Sequence, residues 1–241
     1  MNCWSLTDKG IVRKQNEDSM DAVLIEEKDC AVCIVCDGMG GAKAGNVASR
    51  TARERFMMSF LRELESGSSP AHIMEKAVGA ANAAVYAASR EHLECAGMGT
   101  TLVAAFVRGN EATVTNVGDS RAYFVNDDGI KRITRDHSVV EDMIDRGDIT
   151  REEARRHPDK NLITRVLGTE KDVSCDVFTR KIESGEFILL CSDGLSNLVS
   201  EQEILYEVLH GGELDTCCER LLSIAKERGA PDNVTIILLQ R

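Results

Sequence analysis

The sequence predicts an α+β protein whose strands pair antiparallel. Two observations carry this. Apolar runs of strand length follow one another across connections of a few residues, too short for the crossovers that parallel pairing needs. Between the first strands and the later ones stand two long segments whose apolar residues recur at helical spacing.

The first clear strand is the apolar run 31–36, AVCIVC, which ends in Asp37 and then Gly38, Met39, Gly40 and Gly41. Side chains alternate along a strand, so Cys33 faces away from Cys30 and Cys36, and the three read as core cysteines rather than a thiolate metal site. Gly38 is expected to bend the chain, and Gly40 and Gly41 to turn it into a helix. That helix is expected over about 45–65, with Ala48, Ala52, Phe56, Phe60 and Leu64 every four residues and Met57 and Leu61 beside them. A second is expected over about 71–92, where Ile73, Ala77, Ala81 and Val85 form one row and Ala80, Ala84 and Ala88 the next. Each has a single apolar stripe.

Strands follow at about 99–108, 111–117, 120–126 and 130–134, with Asn126-Asp127-Asp128-Gly129 as a hairpin turn. Later strands are expected at about 175–181, 186–192 and 233–240, with helices at about 201–209 and 214–228 between the last two. Segment 136–160 differs: 13 of its 25 residues are charged, against 29% of the chain. Ser138-x-x-Glu141 and Thr150-x-x-Glu153 are capping-box patterns and predict two short helices. So polar an insert is expected to be a surface flap. No linker or repeat divides the chain, so residues 1–241 read as one domain carrying this flap.

The 241 residues contain 40 acids and 29 bases, a formal charge of −11. That argues against nucleic acid or an anionic membrane as the partner. No apolar stretch approaches the roughly 20 residues of a membrane span, and MNCWSLTDKG does not read as a signal peptide. Nine cysteines, several inside apolar runs, fit free thiols in a reducing cytoplasm.

The apolar run ending in an acid recurs. FILLCSDGLSN (187–197) ends at Asp193-Gly194, and Asp232 stands just before the strand VTIILL. Two acids at strand C-ends and one at a strand N-end lie at the same edge of an antiparallel sheet, so three carboxylates are expected to converge. Asp119, in NVGDSRAY, is expected nearby at a hairpin tip; Glu17 and Asp18 follow Arg13 near the N-terminus. Clustered carboxylates repel one another, and hard divalent cations remove the penalty. Two such ions can clamp a phosphoryl group, and Arg13 is the candidate to bind it, unless it forms only a surface ion pair. A cysteine followed six residues later by arginine, a GxxxxGK[ST] loop and HExxH are all missing from the sequence.

In this light the motifs RKQNED (13–18), VCDGMGG (35–41), GMGTT (97–101), NVGDSR (116–121), DHS (136–138), ITRVLG (163–168), LLCSDGLSN (189–197) and PDNVT (231–235) resemble, in order and over nearly the whole chain, the metal-dependent Ser/Thr protein phosphatases of type 2C, the PPM family, in their short bacterial form. The resemblance implies a four-layer αββα sandwich, two antiparallel sheets flanked by helices. It implies two Mn²⁺ or Mg²⁺ ions, with Asp37 bridging, the Gly38 carbonyl on one, and Asp193 and Asp232 on the other. Asp119 with Asp193 would bind a weaker third ion, Glu17 and Asp18 would orient waters or complete the shell, and Arg13 would hold the substrate phosphate. The implied reaction is hydrolysis of phosphoserine or phosphothreonine by a metal-bridging hydroxide. The implied partners are phosphorylated proteins, including a Ser/Thr kinase, and the chain is read as a cytoplasmic monomer.

Two positions depart from the family. Met39 stands where animal members carry a histidine proposed as general acid, which leaves protonation of the leaving group to a metal-bound water. Asn197 stands where many members have an aspartate for the third metal, which weakens that site. Two competing readings are a degenerate module that binds metal or phosphoprotein without turnover, disfavoured by the surviving Asp37, Asp193 and Asp232, and a metal-dependent nuclease, disfavoured by the charge.

Overall fold

The run at 31–36 is a strand, and its alternation divides it between two cores. Cys30, Val32, Ile34 and Cys36 pack in one cluster and Ala31, Cys33 and Val35 in another, as the two-residue period requires. This computed structural model describes the backbone of all 241 residues and the side chains of all but residues 41–43 and 155.

The strands are β1 (Asn2–Asp8), β2 (Asp18–Ile25), β3 (Cys30–Met39), β4 (Gly99–Thr100), β5 (Leu102–Arg108), β6 (Glu111–Val117), β7 (Arg121–Asn126), β8 (Gly129–Arg132), β9 (Asp176–Lys181), β10 (Phe187–Cys191) and β11 (Val234–Gln240). The helices are α1 (Gly41–Glu63), α2 (Pro70–Glu91), α3 (Val139–Asp145), α4 (Arg151–Arg156), α5 (Asp193–Ser196), α6 (Glu201–Leu209) and α7 (Cys217–Glu227). One sheet has the order β1-β11-β10-β7-β8. The other has β2-β3-β5-β6-β9, with β4 beside β3. Every pairing is antiparallel.

The two sheets face one another. Cys33, Val35, Val103 and Ala105 of one meet Phe124, Ile188, Leu190 and Ile237 of the other in a shared apolar core. The outer face of β3 and β5 is covered by α1 and α2 through Ala48, Ala52, Phe56, Phe60, Ile73, Ala77, Ala81 and Val85. The outer face of β10 and β11 is covered by α6 and α7 through Ile204, Val208, Cys217, Leu221 and Ala225. The result is the four-layer αββα sandwich, each helix contributing one stripe.

Local signals set the helix ends. Ser69 caps α2 by accepting from His72 N–H, with Pro70 at the first helical position. Thr150 and Ser200 form full capping boxes at α4 and α6. Ser138 caps α3 by accepting from Glu141 N–H, but the Glu141 carboxylate turns away to Arg132 and Arg151. The first helix begins at Gly41, ahead of the expected start, and Leu61 is exposed rather than packed. The expected role of Gly41 in the turn lies outside the described side chains.

The charged segment is only partly the surface flap expected of it. Its root, residues 136–138 with Val140 and Glu141, is buried. The reason is a ladder of ion pairs. Arg121 grips Asp136 through Nε and Nη2 at 2.6–3.1 Å, Arg132 reaches both Asp136 (3.4 Å) and Glu141 (2.7 Å), and exposed Arg151 reaches Glu141 at 3.3 Å. A charge enters the interior only when paired in this way. Beyond Asp142 the segment carries most of its charge at the surface.

Phe60 ties the helical layer to the sheet. It is fully buried, stacked on Phe56 with ring centroids 6.2 Å apart and edge-on to Phe106 of β5 at 4.9 Å. Phe60→Ala is expected to destabilise the chain by about 3–5 kcal/mol, read from the urea midpoint; a loss below about 1 kcal/mol would refute this packing.

Candidate metal centre

The acids converge, but not along one sheet edge. Asp193 follows β10 and Asp232 precedes β11, and these are antiparallel neighbours, so that pair does share an edge. Asp37 belongs to the facing sheet, directly across from Asp18 in the β2–β3 pairing. The stacking of the two sheets, rather than strand register alone, brings the two pairs to one end of the sandwich. Asp119 lies in the passage from β6 to β7, which belong to different sheets. It is therefore at a crossover and not at the hairpin tip expected. Gly118 makes that passage at φ +107, packed on Thr101, whose side chain leaves no room for a Cβ. His137, at the flap root, accepts from Gly118 N–H at 3.0 Å through Nδ1 and so fixes the same turn.

Neutral groups hold the acids in place. Asp37 donates its N–H to Thr101 Oγ1 at 3.0 Å, and its carbonyl accepts from Thr100 Oγ1 and Thr101 N–H, both at 2.9 Å. Asp18 Oδ2 accepts from Ser192 at 2.8 Å and Thr235 at 2.6 Å. Asn233 accepts from Glu17 N–H and donates to the carbonyls of Lys9 and Gln15, which pins the segment bearing Arg13, Glu17 and Asp18 against the start of β11. Sequence reasoning did not single out Thr100, Thr101, Ser192, Asn233 or Thr235. The signal was present: each sits within three residues of a cluster acid or inside a quoted motif, as a small polar residue beside an apolar run.

Glycine 38 does not bend the chain. It continues β3, and a Cβ there would meet the Gly45 carbonyl oxygen at 2.1 Å and the Glu17 carbonyl oxygen at 2.6 Å. A Cβ on Gly45 would in turn lie 2.8 Å from the Gly38 oxygen and 3.0 Å from the Glu17 carboxyl carbon. Two facing glycines thus keep clear a small space bounded by the Gly38 carbonyl and the Glu17 carboxylate. The turn falls to Gly40, at φ +129.

Electrostatics mark the cluster as strained by its own charge. Burial first, then the charges of Asp18, Asp193, Asp119 and Asp232, push the Asp37 carboxyl well above the usual range. Burial, with Asp193 and Asp136, pushes Asp119 up to about 8 despite Arg121. Burial pushes Asp18 up to about 7, against the pull of the Thr235 and Ser192 hydroxyls. Asp193 is raised by burial and then by Asp232, against the pull of Arg121 and of the Asn197 amide. Burial also raises Glu17. Asp18 Oδ1 is buried without any hydrogen-bond partner.

Among the described residues no group of three or more His, Cys, Asp or Glu side chains is drawn close enough together to hold a metal ion by itself. What exists is an oxygen-only set of crowded carboxylates, an orphaned buried oxygen and a carbonyl beside a cleared space. That set fits hard divalent cations, which keep several waters and need few protein ligands each.

At the rim, Arg13 Nη2 donates to Asp232 Oδ2 at 2.8 Å, and its side chain is 50% exposed. The surface ion pair weighed against a phosphate role is therefore formed, in the midst of the Glu17 and Asp37 charges. Asn197 donates to Asp193 Oδ2 at 3.0 Å, an amide steadying the acid where a further carboxylate would repel it. Two surface cavities, of about 430 and 210 Å³, lie along α2 and residues 168–173 and hold no acidic cluster.

A family model described as protein phosphatase 2C matches residues 12–235. The serine/threonine phosphatase stp of Listeria innocua is 35% identical over 98% of this chain and 94% of its own length. The serine/threonine protein phosphatase PstP of Mycobacterium tuberculosis is 38% identical over 96% of this chain, which spans 43% of that longer protein. In solved structures, the Mycobacterium tuberculosis phosphatase superposes with TM-score 0.88 at 36% identity, covering 100% and 99% of the two chains. The PstP catalytic domain in complex with two manganese ions gives TM-score 0.83 at 35% identity over 98% and 96%.

The raised carboxyls fix the sign of a pH dependence. In the folded, metal-free chain Asp18 and Asp119 keep protons up to about 7 and 8, which the unfolded chain releases near 3.9. Across that window the folded state binds more protons, so stability falls as pH rises. The thermal midpoint in chelator is expected to drop from pH 5 to pH 8, and Mn²⁺ to restore it at pH 8. A midpoint flat in pH and indifferent to Mn²⁺ would refute the crowding.

Proposed function

The chain belongs to the protein phosphatase 2C family, and from that premise we propose how its residues act. It is a serine/threonine protein phosphatase, a metal-dependent enzyme that acts on phosphoproteins. The observation that carries the reading is the crowding of Asp18, Asp37, Asp119 and Asp193, half-buried or buried together with a charge that only protons or cations relieve.

In this reading Asp37, the Gly38 carbonyl, Asp193 and Asp232 hold two Mn²⁺ or Mg²⁺ ions, and Asp119 with Asp193 holds a weaker third. When bound, the ions offset the charge of the phosphoryl oxygens and make water a competent nucleophile near neutral pH. Asp18, steadied by Ser192 and Thr235, and Glu17, beside the space that Gly45 leaves open, orient water and complete the shell. Arg13 exchanges Asp232 for the substrate phosphate, which its planar fork suits. Met39 carries no proton to give, so the departing serine or threonine oxygen takes one from water.

The flap lies next to the site and bears on substrate choice, through a root fixed by the Arg121–Asp136 pair and by His137 on Gly118. Residues 1–241 act as one catalytic domain and as a monomer, opposing a Ser/Thr kinase. Among the described residues no helix is long and apolar enough to cross a membrane, and nine free thiols favour a cytoplasmic setting.

Two experiments test this. The purified chain is expected to hydrolyse a phosphothreonine peptide with Mn²⁺ and to stop in chelator; Asp37→Asn is expected to lower kcat/KM at least about 1,000-fold with the circular dichroism spectrum unchanged. Activity persisting in excess chelator, or a variant as fast as wild type, would overturn the metal centre. Arg13→Ala is expected to raise KM about 10-fold with kcat little altered. An unchanged KM would reduce Arg13 to its ion pair with Asp232.

A further inference from the structure

All nine cysteines are free, and seven of them are buried; Cys3 and Cys175 are the two with partial exposure. Only Cys3 combines access with a neighbouring thiol. Its Sγ lies 3.9 Å from that of Cys33. Cys3 is on β1, the edge strand of its sheet, and sits at the margin of the apolar core between the sheets. Cys33 is on β3, second strand of the facing sheet, fully buried in that same core between Ala22 and Ala105.

A disulfide needs its sulfurs about 2.05 Å apart, so the pair must close by about 2 Å. Rotation of the Cys3 side chain at the sheet margin supplies a path for that closure. The hydrogen-bond contact with the Cys33 thiol holds Cys3 below its ordinary value against the opposing effect of burial. The thiolate is the reactive form. The buried partner cannot meet an oxidant first.

We propose that Cys3 and Cys33 are a redox modification site, converted by a hydroperoxide into a disulfide that joins the two sheets. The Cys3 thiolate attacks one peroxide oxygen; the O–O bond breaks, and the other oxygen leaves and takes up a proton as water. Cys33 then attacks the Cys3 sulfenic sulfur; the S–S bond forms, the S–O bond breaks, and hydroxide leaves with the Cys33 proton as a second water. Two thiols lose two electrons and two protons, and one hydrogen peroxide becomes two waters. A small-molecule dithiol reverses the step by exchange. The closed ring encloses Arg13, Glu17 and Asp18, the segment that Asn233 otherwise holds through three hydrogen bonds. Cys175 has no thiol beside it among the described residues and stops at the sulfenic acid or its over-oxidised forms.

The test uses the whole reduced chain, hydrogen peroxide as the probe, rapid alkylation and peptide mapping by mass spectrometry. The expected result is a peptide linking Cys3 to Cys33, two fewer titratable thiols, reversal by dithiothreitol, and a thermal midpoint roughly 5–10 °C higher. Cys3→Ser, at a partly exposed position, is expected to remove the link and the thermal shift, and Cys175→Ser to remove neither. The proposal is overturned if Cys3 stays a thiol or reaches the sulfinic acid unlinked at a dose that oxidises Cys175. It is equally overturned if Cys3 links to any other cysteine, or if the thermal shift survives in Cys3→Ser. None of these readings depends on phosphatase activity.

Discussion

Half-buried carboxylates that face one another push apart, and the neutral groups packed around them hold them against that push. Their own hydrogen bonds could not do it, since ionised carboxylates only accept. The holding is done by neutral groups a short distance behind them: the hydroxyls of Ser192 and Thr235, which donate to the Asp18 carboxylate, and Thr100 and Thr101, which fix the backbone of Asp37. Neutral groups fix position without cancelling charge. The cluster therefore keeps the negative field that attracts cations, which a ring of lysines or arginines would have neutralised.

Positive charge is placed at the periphery. Arg13 stands at the exposed rim, where its ion pair with Asp232 is worth little and can be exchanged for a ligand. Arg121 stands behind the cluster, committed on its far side to Asp136 and from there, through Arg132 and Glu141, to Arg151 on α4. This alternation lets a heavily charged segment root itself in the protein. It also gives the flap a rigid base beneath a mobile-looking composition, so charge count alone misjudged where its surface begins.

Much of this was legible in the sequence because the signals were local. The period of 31–36 predicted which cysteines face which core, and the rows of alanine in α2 predicted its packed face. The acids announced themselves by ending apolar runs. What sequence could not supply was which strands share a sheet: Asp37 looked like a neighbour of Asp193 along one edge, whereas it belongs to the facing layer. The 118–120 passage resembled a hairpin because short loops usually are, yet it changes sheets. Gly38 is required by a backbone approach from Gly45, seven residues away, which no local rule reveals. The clamp residues were overlooked because a buried serine, threonine or asparagine gains meaning only once its partner is known.

The position of β11 bears on how such a protein comes into being. It lies between β1 and β10, pairing with the first strand from Asn2 opposite Gln240 to Asp8 opposite Val234. β1 is therefore made well before β11, its one partner strand in the sheet. The acids of β2 and β3 come early in the chain, and those flanking β10 and β11 come late. Contacts of such long sequence separation form slowly. Asp232, just ahead of β11, is the last of the cluster acids to be made, so the set is complete only when the final strand is in place.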